Sequence, residues 1–152
     1  MILAIDPGNV ESAYVILDER IIESGKINND LMLSNVYEWG RHKQKPMLYI
    51  EMIASYGMPV GKDVFDTCVF IGRLIEAYGS DCVELVYRKT VKMHHCGSMK
   101  AKDGNIIQAL KDKYGQKGTK KEPGFFYDTK ADVWQAFAVA AYIKEREEAL
   151  VW

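Results

Sequence analysis

The sequence predicts a single α/β or α+β domain built on a mixed β-sheet. Turn-separated apolar segments come first in the chain, and strand and helix patterns alternate after them, an order typical of a mixed sheet with helices packed on it. The chain has 152 residues, of which 48% are hydrophobic and 27% charged. This composition argues against disorder, collagen and coiled coil. We therefore expect one domain spanning 1–152.

The first part of the chain predicts an antiparallel meander. Apolar strands are expected over 2–6, 11–17 and 20–27. Pro7-Gly8-Asn9 forms a tight turn between the first two, in which Gly8 is free to take a positive φ. A helix over 30–42 and a short apolar strand over 47–51 follow.

The rest of the chain alternates between helical and strand patterns. Apolar residues at helical spacing predict a helix over 62–78 that is ended by Gly79. A strand is expected over 83–87 and helices over 90–96 and 103–114, followed by a Gly- and Lys-rich loop over 115–124. A largely apolar final helix spans 131–145.

The cysteines and the apolar segments predict a cytoplasmic protein. Cys68, Cys82 and Cys96 are far apart and odd in number, and they form no C-x-x-C pair. This pattern favours free thiols in a reducing cytosol over a disulfide framework or a zinc site. The longest apolar run is far below the roughly 20 residues that span a bilayer, and the first residues lack the basic segment of a signal peptide.

Positive charge is concentrated in one segment, although the formal net charge is only -1. Residues 86–121 hold ten Lys and Arg against two acids. A solvated helix face normally mixes both signs, so this excess predicts a surface that binds a polyanion. A basic surface without a partner is the alternative on charge alone.

Three acids stand at the ends of predicted apolar elements. Asp6 and Glu51 end strands, and Asp132 opens the last helix. A carboxylate at the rim of a buried element is costly unless it is paired or binds a cation. Structural explanations exist, since Asp132 could stabilise the helix N-terminus and Asp6 could start a turn. Together, however, the three acids fit a site for hard divalent cations, and two such ions can support phosphodiester cleavage.

Four segments, in this order along the chain, resemble the RuvC-type Holliday junction resolvases of the RNase H-like superfamily. They are Asp6-Pro-Gly-Asn9, the strand-end Glu51, Val91-Lys92…Gly97-Ser98-x-x-Ala101-Lys102, and Lys130-Ala131-Asp132-Val133-x-x-Ala136. The resemblance implies an α/β, RNase H-like fold with a five-stranded sheet in the order 3-2-1-4-5. It also implies a homodimer that cuts four-way DNA junctions to 5′-phosphate and 3′-hydroxyl ends, with two Mg²⁺ or Mn²⁺ ions per site. The low pI of about 6.3 is similar to phage-type members, which would act in the cytoplasm of a bacterial host.

The resemblance also implies roles for individual residues. Asp6, Glu51 and Asp132 match three of the family's four metal-binding acids, and Lys92 and Lys102 match its functional lysines. The usual fourth position holds Thr129, so we expect Asp128 to replace it, provided that the last helix already begins near residue 128. The expected DNA contacts are the loop residues Tyr56 and Met58 and the basic residues Arg88, Lys89, Lys92, Lys100, Lys102, Lys120 and Lys121.

Two alternatives share parts of this pattern. An RNase H of other substrate class, or an actin-like phosphotransferase, also opens a sheet with a strand followed by Asp-x-Gly. The basic segment 88–102 argues against the first, and the short chain without a second phosphate-binding glycine loop argues against the second. Thr129 keeps open a catalytically impaired module that binds junctions without cutting them.

Overall fold

The fold is a mixed β-sheet with helices on both faces, and the computed structural model describes residues 1–151. Five strands occur in that range: β1 (Ile2–Asp6), β2 (Glu11–Leu17), β3 (Ile21–Asn28), β4 (Leu48–Met52) and β5 (Val83–Tyr87). The same residues form the helices α1 (Asn29–Gly40), α2 (Lys62–Tyr78), α3 (Arg88–Cys96), α4 (Asp103–Tyr114) and α5 (Val133–Leu150), with one 3₁₀ turn over Ser80–Cys82.

The strand order is β3-β2-β1-β4-β5, which confirms the predicted order and the RNase H-like sheet. β1 pairs antiparallel with β2, and β2 antiparallel with β3, so the predicted meander is correct. β4 pairs parallel with both β1 and β5. The carboxyl ends of β1, β4 and β5 therefore lie at one edge of the sheet.

Two hydrophobic layers cover the two faces of the sheet. On one face, Ala4 and Tyr49 pack in a core with α5, α4 and the buried Phe126. On the other face, Leu3 and Ile50 pack with α1 and α2. Successive side chains of a strand point to opposite faces. Strand position therefore decides which layer each residue joins.

The turn after β1 is present as predicted, but the reason for its glycine differs from the prediction. Gly8 does not have a positive φ; instead, a Cβ at this position would collide with the carbonyl oxygen of Glu11. The Gly8 amide donates to Ser12 Oγ at 3.2 Å, and Ser12 Oγ donates to Asn29 Oδ1 at 2.7 Å. Asn29 Nδ2 returns to the Gly8 carbonyl at 2.9 Å. The turn that follows Asp6 is thus fixed by a closed hydrogen-bond network.

The other predicted helices and strands are present, with ends shifted by up to five residues; the largest shift is the end of α5 at Leu150 rather than at 145. Helix α2, strand β5 and helix α4 have the predicted bounds, and the three cysteines are free. Helix α5 begins at Val133 rather than at 131, because Ala131 has a φ of 35°, a left-handed conformation that an α-helix does not include. Across residues 1–151, no helix has both the length and the apolar character needed to cross a membrane.

Candidate active site

Asp6 and Glu51 are neighbours on one face of the sheet. The parallel pairing of β1 and β4 sets Ile5 beside Ile50, and each acid is the next residue along its strand. Each acid also lies two residues after a side chain of the α5-side core, Ala4 and Tyr49 respectively. Because strand side chains alternate, both carboxylates point to the α5 face.

Helix α5 brings Asp132 to the same edge of the sheet. Asp132 is the N-cap residue of α5, but its side chain makes no capping hydrogen bond. Its Oδ2 instead lies 2.6 Å from Lys26 Nζ. Lys26 belongs to the row of the sheet that also contains Ala13 and Asp6. The helix-capping explanation for Asp132 therefore does not apply.

The environment of Asp6 disfavours its charged form. Burial is the main cause, and the charges of Glu51, Asp132 and Asp103 add to it, while that of Arg88 opposes it. Together they raise the pKa of Asp6 from 3.8 to about 8. A carboxyl group in this state has a strong tendency to bind either a proton or a cation.

Glu51 is almost completely buried, with 6% of its surface exposed. Arg88, the first residue of α3, donates from Nη1 to Glu51 Oε1 at 2.9 Å, and its Nη2 contacts Asp103 Oδ1. Burial raises the pKa of Glu51, and the charges of Arg88 and Lys92 act in the opposite direction. Glu51 is thus a buried acid with an arginine as its direct ionic partner.

The residue types at this edge suit a hard divalent cation, although the ligand atoms of the three acids do not all lie within 4.8 Å of one another. Asp6, Glu51 and Asp132 offer carboxylate oxygens, the ligands that Mg²⁺ prefers, and several coordination positions would be left for water or phosphate. Cationic side chains already contact two of the three acids, Arg88 at Glu51 and Lys26 at Asp132. These contacts show that the site attracts positive charge.

Asp128 and Thr129 lie in a different place. They line a hollow with Ile21, Glu23 and Phe125, beside the start of β3. The condition for choosing Asp128, a last helix that already begins near residue 128, is not met, because α5 begins at Val133 and Asp128 belongs to the preceding turn. Asp128 is also not among the acids whose charges raise the pKa of Asp6. The geometric reason for choosing it as a fourth ligand is therefore absent.

The expected DNA-contacting residues are mostly exposed around the α3 side of the site. Tyr56 is 60% exposed and Met58 72% exposed in the loop after β4. Lys89 Nζ lies 4.7 Å from the centre of the Tyr56 ring. Lys92 is close enough to Glu51 for its charge to lower the pKa of that acid.

The other basic residues of this set are also accessible. Lys102 is the N-cap residue of α4, and Lys100 precedes it in an exposed turn. Lys120 and Lys121 are exposed in the loop between α4 and α5, which a bridge between Gly118 and Pro123 closes. Among residues 1–151, Arg88 is the one predicted DNA contact that forms ion pairs with acids.

A second polar cluster joins the three helices on this face. Glu145 of α5 contacts His94 Nε2 at 2.6 Å, Lys113 Nζ at 2.7 Å and the Tyr114 hydroxyl at 2.8 Å. Among residues 1–151, His94, His95 and Glu145 are the one trio whose possible metal-binding atoms all lie within 4.8 Å. Lys113 already supplies the positive charge, and His95 Nε2 lies 2.8 Å from the Ala138 carbonyl. We interpret this cluster as structural, since its groups are satisfied without an ion.

Asp103 and Lys26 were not predicted as site residues at all. Arg88 was predicted as a DNA contact but not as the partner of Glu51. Asp103 is one of only two acids in the basic segment 86–121, which is a signal that could have singled it out. Lys26 carries no such signal, because its position depends on the register of β3.

Comparisons with known proteins give a structural match. No protein-family model matches the sequence, and no curated protein matches it. The structure of RuvC from Thermus thermophilus is similar, with a TM-score of 0.64 and 14% sequence identity over 91% of this chain and 90% of that chain. T. thermophilus RuvC in complex with Holliday junction substrate gives the same TM-score and identity, over 91% of this chain and 89% of that chain. The predicted resemblance to RuvC is therefore confirmed for the fold.

We expect Asp6→Asn to stabilise the metal-free protein at high pH. The raised pKa means that folded Asp6 keeps its proton between pH 3.8 and about 8, where the unfolded chain has released it. Stability therefore falls as the pH rises through this window, and the variant avoids that loss. In thermal or urea unfolding with EDTA, the variant should match the parent at pH 4 and exceed it by about 1 kcal/mol or more at pH 9.

Asp81→Asn, at an exposed acid in the 3₁₀ turn, is the control for losing a carboxylate. Its difference from the parent should not grow over the same pH range. An Asp6→Asn curve that runs parallel to the parent curve would contradict the raised pKa.

Proposed function

We propose that this protein is a metal-dependent endonuclease that cleaves branched DNA, with four-way junctions as its main substrate. The observation that carries the proposal is the meeting of Asp6, Glu51 and Asp132 at one edge of an RNase H-like sheet, beside the basic helices α3 and α4. The similar structure of T. thermophilus RuvC with a Holliday junction supports the choice of substrate. The proposed products and ions are those of the RuvC-type resolvases. Cleavage would leave 5′-phosphate and 3′-hydroxyl ends, and each site would hold two Mg²⁺ or Mn²⁺ ions.

In this proposal the three acids hold the metal. Bound Mg²⁺ would activate water and neutralise charge on the scissile phosphate. Asp6 would help to hold both ions, as the resemblance to the RuvC-type resolvases implies, and the charges of Glu51 and Asp132 both act on it.

In this proposal the lysines bind the phosphate groups of the DNA and stabilise their charge. Lys92 is near enough to Glu51 to influence its pKa, and Lys102 begins the neighbouring helix α4. In our proposal one of these ammonium groups stabilises the negative charge that develops on the departing 3′ oxygen. Lys89, Lys100, Lys120 and Lys121 contact phosphates of the junction arms, and Tyr56 offers a ring on which an unpaired base stacks.

The protein acts as a homodimer in this proposal. Two cuts related by two-fold symmetry need two sites facing the two strands, which a closed dimer supplies. Most of the affinity would come from phosphates, so binding should weaken steeply with salt. A junction is then selected by its shape rather than by its base sequence.

The proposal is tested with a labelled four-way junction, incubated with and without Mg²⁺. We expect paired nicks in Mg²⁺ and none in EDTA, and much slower cleavage of linear duplex. Asp6→Asn should abolish cleavage and leave junction binding largely intact, because it removes a ligand but no phosphate contact. Products are measured on denaturing gels and binding by mobility shift.

Asp81→Asn is again the matched control and should cleave like the parent. Parent protein that binds the junction but never cuts it would instead identify the impaired module. Cleavage by Asp6→Asn at the parent rate would remove Asp6 from the mechanism.

We expect Lys92→Ala and Lys102→Ala to lower both junction affinity and the maximal cleavage rate. The rate at saturating protein should fall by roughly tenfold or more, because a charge that stabilises the leaving oxygen is lost. Lys43→Ala, beside Met1 and therefore at the opposite end of β1, is the control and should change neither quantity. If saturating protein restores the full rate, the two lysines only bind DNA.

Asp128→Asn tests the remaining assignment from the sequence. Asp128 lines the hollow beside β3 and exerts no resolved charge effect on Asp6, so we expect a cleavage rate within about twofold of the parent. The Mg²⁺ concentration that gives half-maximal rate should also be unchanged. A loss on the order of 10², as for removal of a metal ligand, would restore Asp128 as the fourth acid.

A further inference from the structure

Arg88 occupies an unusual position for a residue of a DNA-binding segment. Its guanidinium bridges Glu51 on β4 and Asp103 on α4, through Nη1 and Nη2 respectively. It does so from the first turn of α3, whose residues include no acid. A helix N-terminus carries partial positive charge, so cations in the first turn are stabilised only by negative charge from elsewhere.

The contact with Glu51 is a buried one. Glu51 is 6% exposed and Arg88 has one third of its side chain exposed. A buried carboxylate that loses its only cationic contact pays a large desolvation cost, so this partner must be replaced rather than merely removed. By contrast, the pair of Lys26 and Asp132 is exposed on both sides and contributes little. The ion pair of Arg88 with Glu51 therefore contributes more to the site than the pair of Lys26 with Asp132.

A divalent ion and the Arg88 guanidinium compete for the same carboxylate. Glu51 Oε1 accepts from Arg88 at 2.9 Å, and an ion that uses this oxygen would be held close to a fixed positive charge. Two positive charges this close repel each other strongly at the effective dielectric constant of a protein. Arg88 in its present position therefore weakens metal binding at this oxygen.

A DNA phosphate offers Arg88 a new partner. Guanidinium groups bind phosphate in the same two-pronged way as they bind carboxylates. Lys89 follows Arg88 directly and Lys92 lies one turn further along α3, so the surroundings of Arg88 already attract the backbone of a nucleic acid. Transfer of the guanidinium from acid to phosphate would free Glu51 and add a contact to the substrate in one movement.

We propose that Arg88 couples substrate binding to metal binding: it neutralises Glu51 and Asp103 in the free protein and moves to a backbone phosphate when DNA binds, which opens Glu51 to the metal. This rests on the proposed function. Arg88 is a positioning residue here, since it acts on the metal through Glu51. The free protein then binds divalent ions weakly, and DNA and metal strengthen each other's binding by the same factor.

The first test measures metal binding without DNA. Mn²⁺ is titrated calorimetrically into the parent, Arg88→Gln, Arg88→Lys and Glu51→Gln. We expect Arg88→Gln to bind Mn²⁺ roughly tenfold or more tightly than the parent, because the competing charge is gone. Arg88→Lys keeps a charge and should stay near the parent, whereas Glu51→Gln should bind more weakly.

Arg146→Gln is the matched control, because Arg146 also bridges to a glutamate through two nitrogens, Glu84, but outside the site. Its Mn²⁺ affinity should equal that of the parent. Unchanged or weaker binding by Arg88→Gln would overturn the proposal, since a residue that merely supports Glu51 would lower the affinity when removed.

The second test measures the coupling in the unaltered chain first and then compares it with Arg88→Gln. Junction affinity is measured by fluorescence anisotropy in EDTA and in Ca²⁺, with denaturing gels to verify that the strands stay intact. We expect Ca²⁺ to tighten junction binding by about fivefold or more in the parent and by less than twofold in Arg88→Gln. No tightening in the parent, or equal tightening in both proteins, would overturn the coupling.

The first test separates this inference from the proposed function. If these acids do not bind metal, as the proposed function requires, Glu51→Gln will not weaken Mn²⁺ binding. If only the role of Arg88 is wrong, Glu51→Gln will still weaken it while Arg88→Gln binds Mn²⁺ no more tightly than the parent.

Discussion

The parallel pairing of β1 with β4 is the constraint on which the rest of the site depends. It sets Ile5 beside Ile50, and the next residue of each strand is an acid. Strand alternation then sends both carboxylates to the α5 face, where burial makes their charge costly. Arg88 reaches Glu51 from α3 and offsets part of that cost, whereas Asp103 of α4 and Asp132 before α5 add further negative charge. A shift of one residue in this pairing would turn one acid into the opposite core.

The two hydrophobic layers that cover the sheet contribute differently to the site. The layer of α1 and α2 is built on residues such as Ile5, Leu48 and Ile50 and carries none of the acids of the site. The layer of α3, α4 and α5 both packs the core and carries the charged residues, and Glu145 joins these three helices through His94, Lys113 and Tyr114. The position of Asp132 relative to the basic helices is therefore set by a polar cluster as well as by hydrophobic packing.

The apolar patterns predicted the strands, and the family resemblance implied their order in the sheet. The three acids could be singled out because each interrupts an apolar element at its end, and such an interruption is visible locally. The sequence did not predict the partners of the acids. Lys26 reaches Asp132 only through the register of β3 against β2, and Arg88 joins Glu51 to Asp103 across three elements. The start of α5 was misjudged because helical propensity extends back to Lys130, whereas the left-handed backbone at Ala131 stops the helix. Contacts between distant segments override local preference at such points.

The position of α5 in the chain has a consequence for biosynthesis. The meander, α1, β4 and α2 are complete by residue 78, and their layer packs without α5. Asp132 and the helix that covers the other face follow all the remaining elements of residues 1–151. Domains generally fold as units during synthesis. A nascent chain that ends before α5 lacks both the third acid and the helix that covers one face of the sheet, so the proposed cutting activity would arise only once synthesis has passed α5.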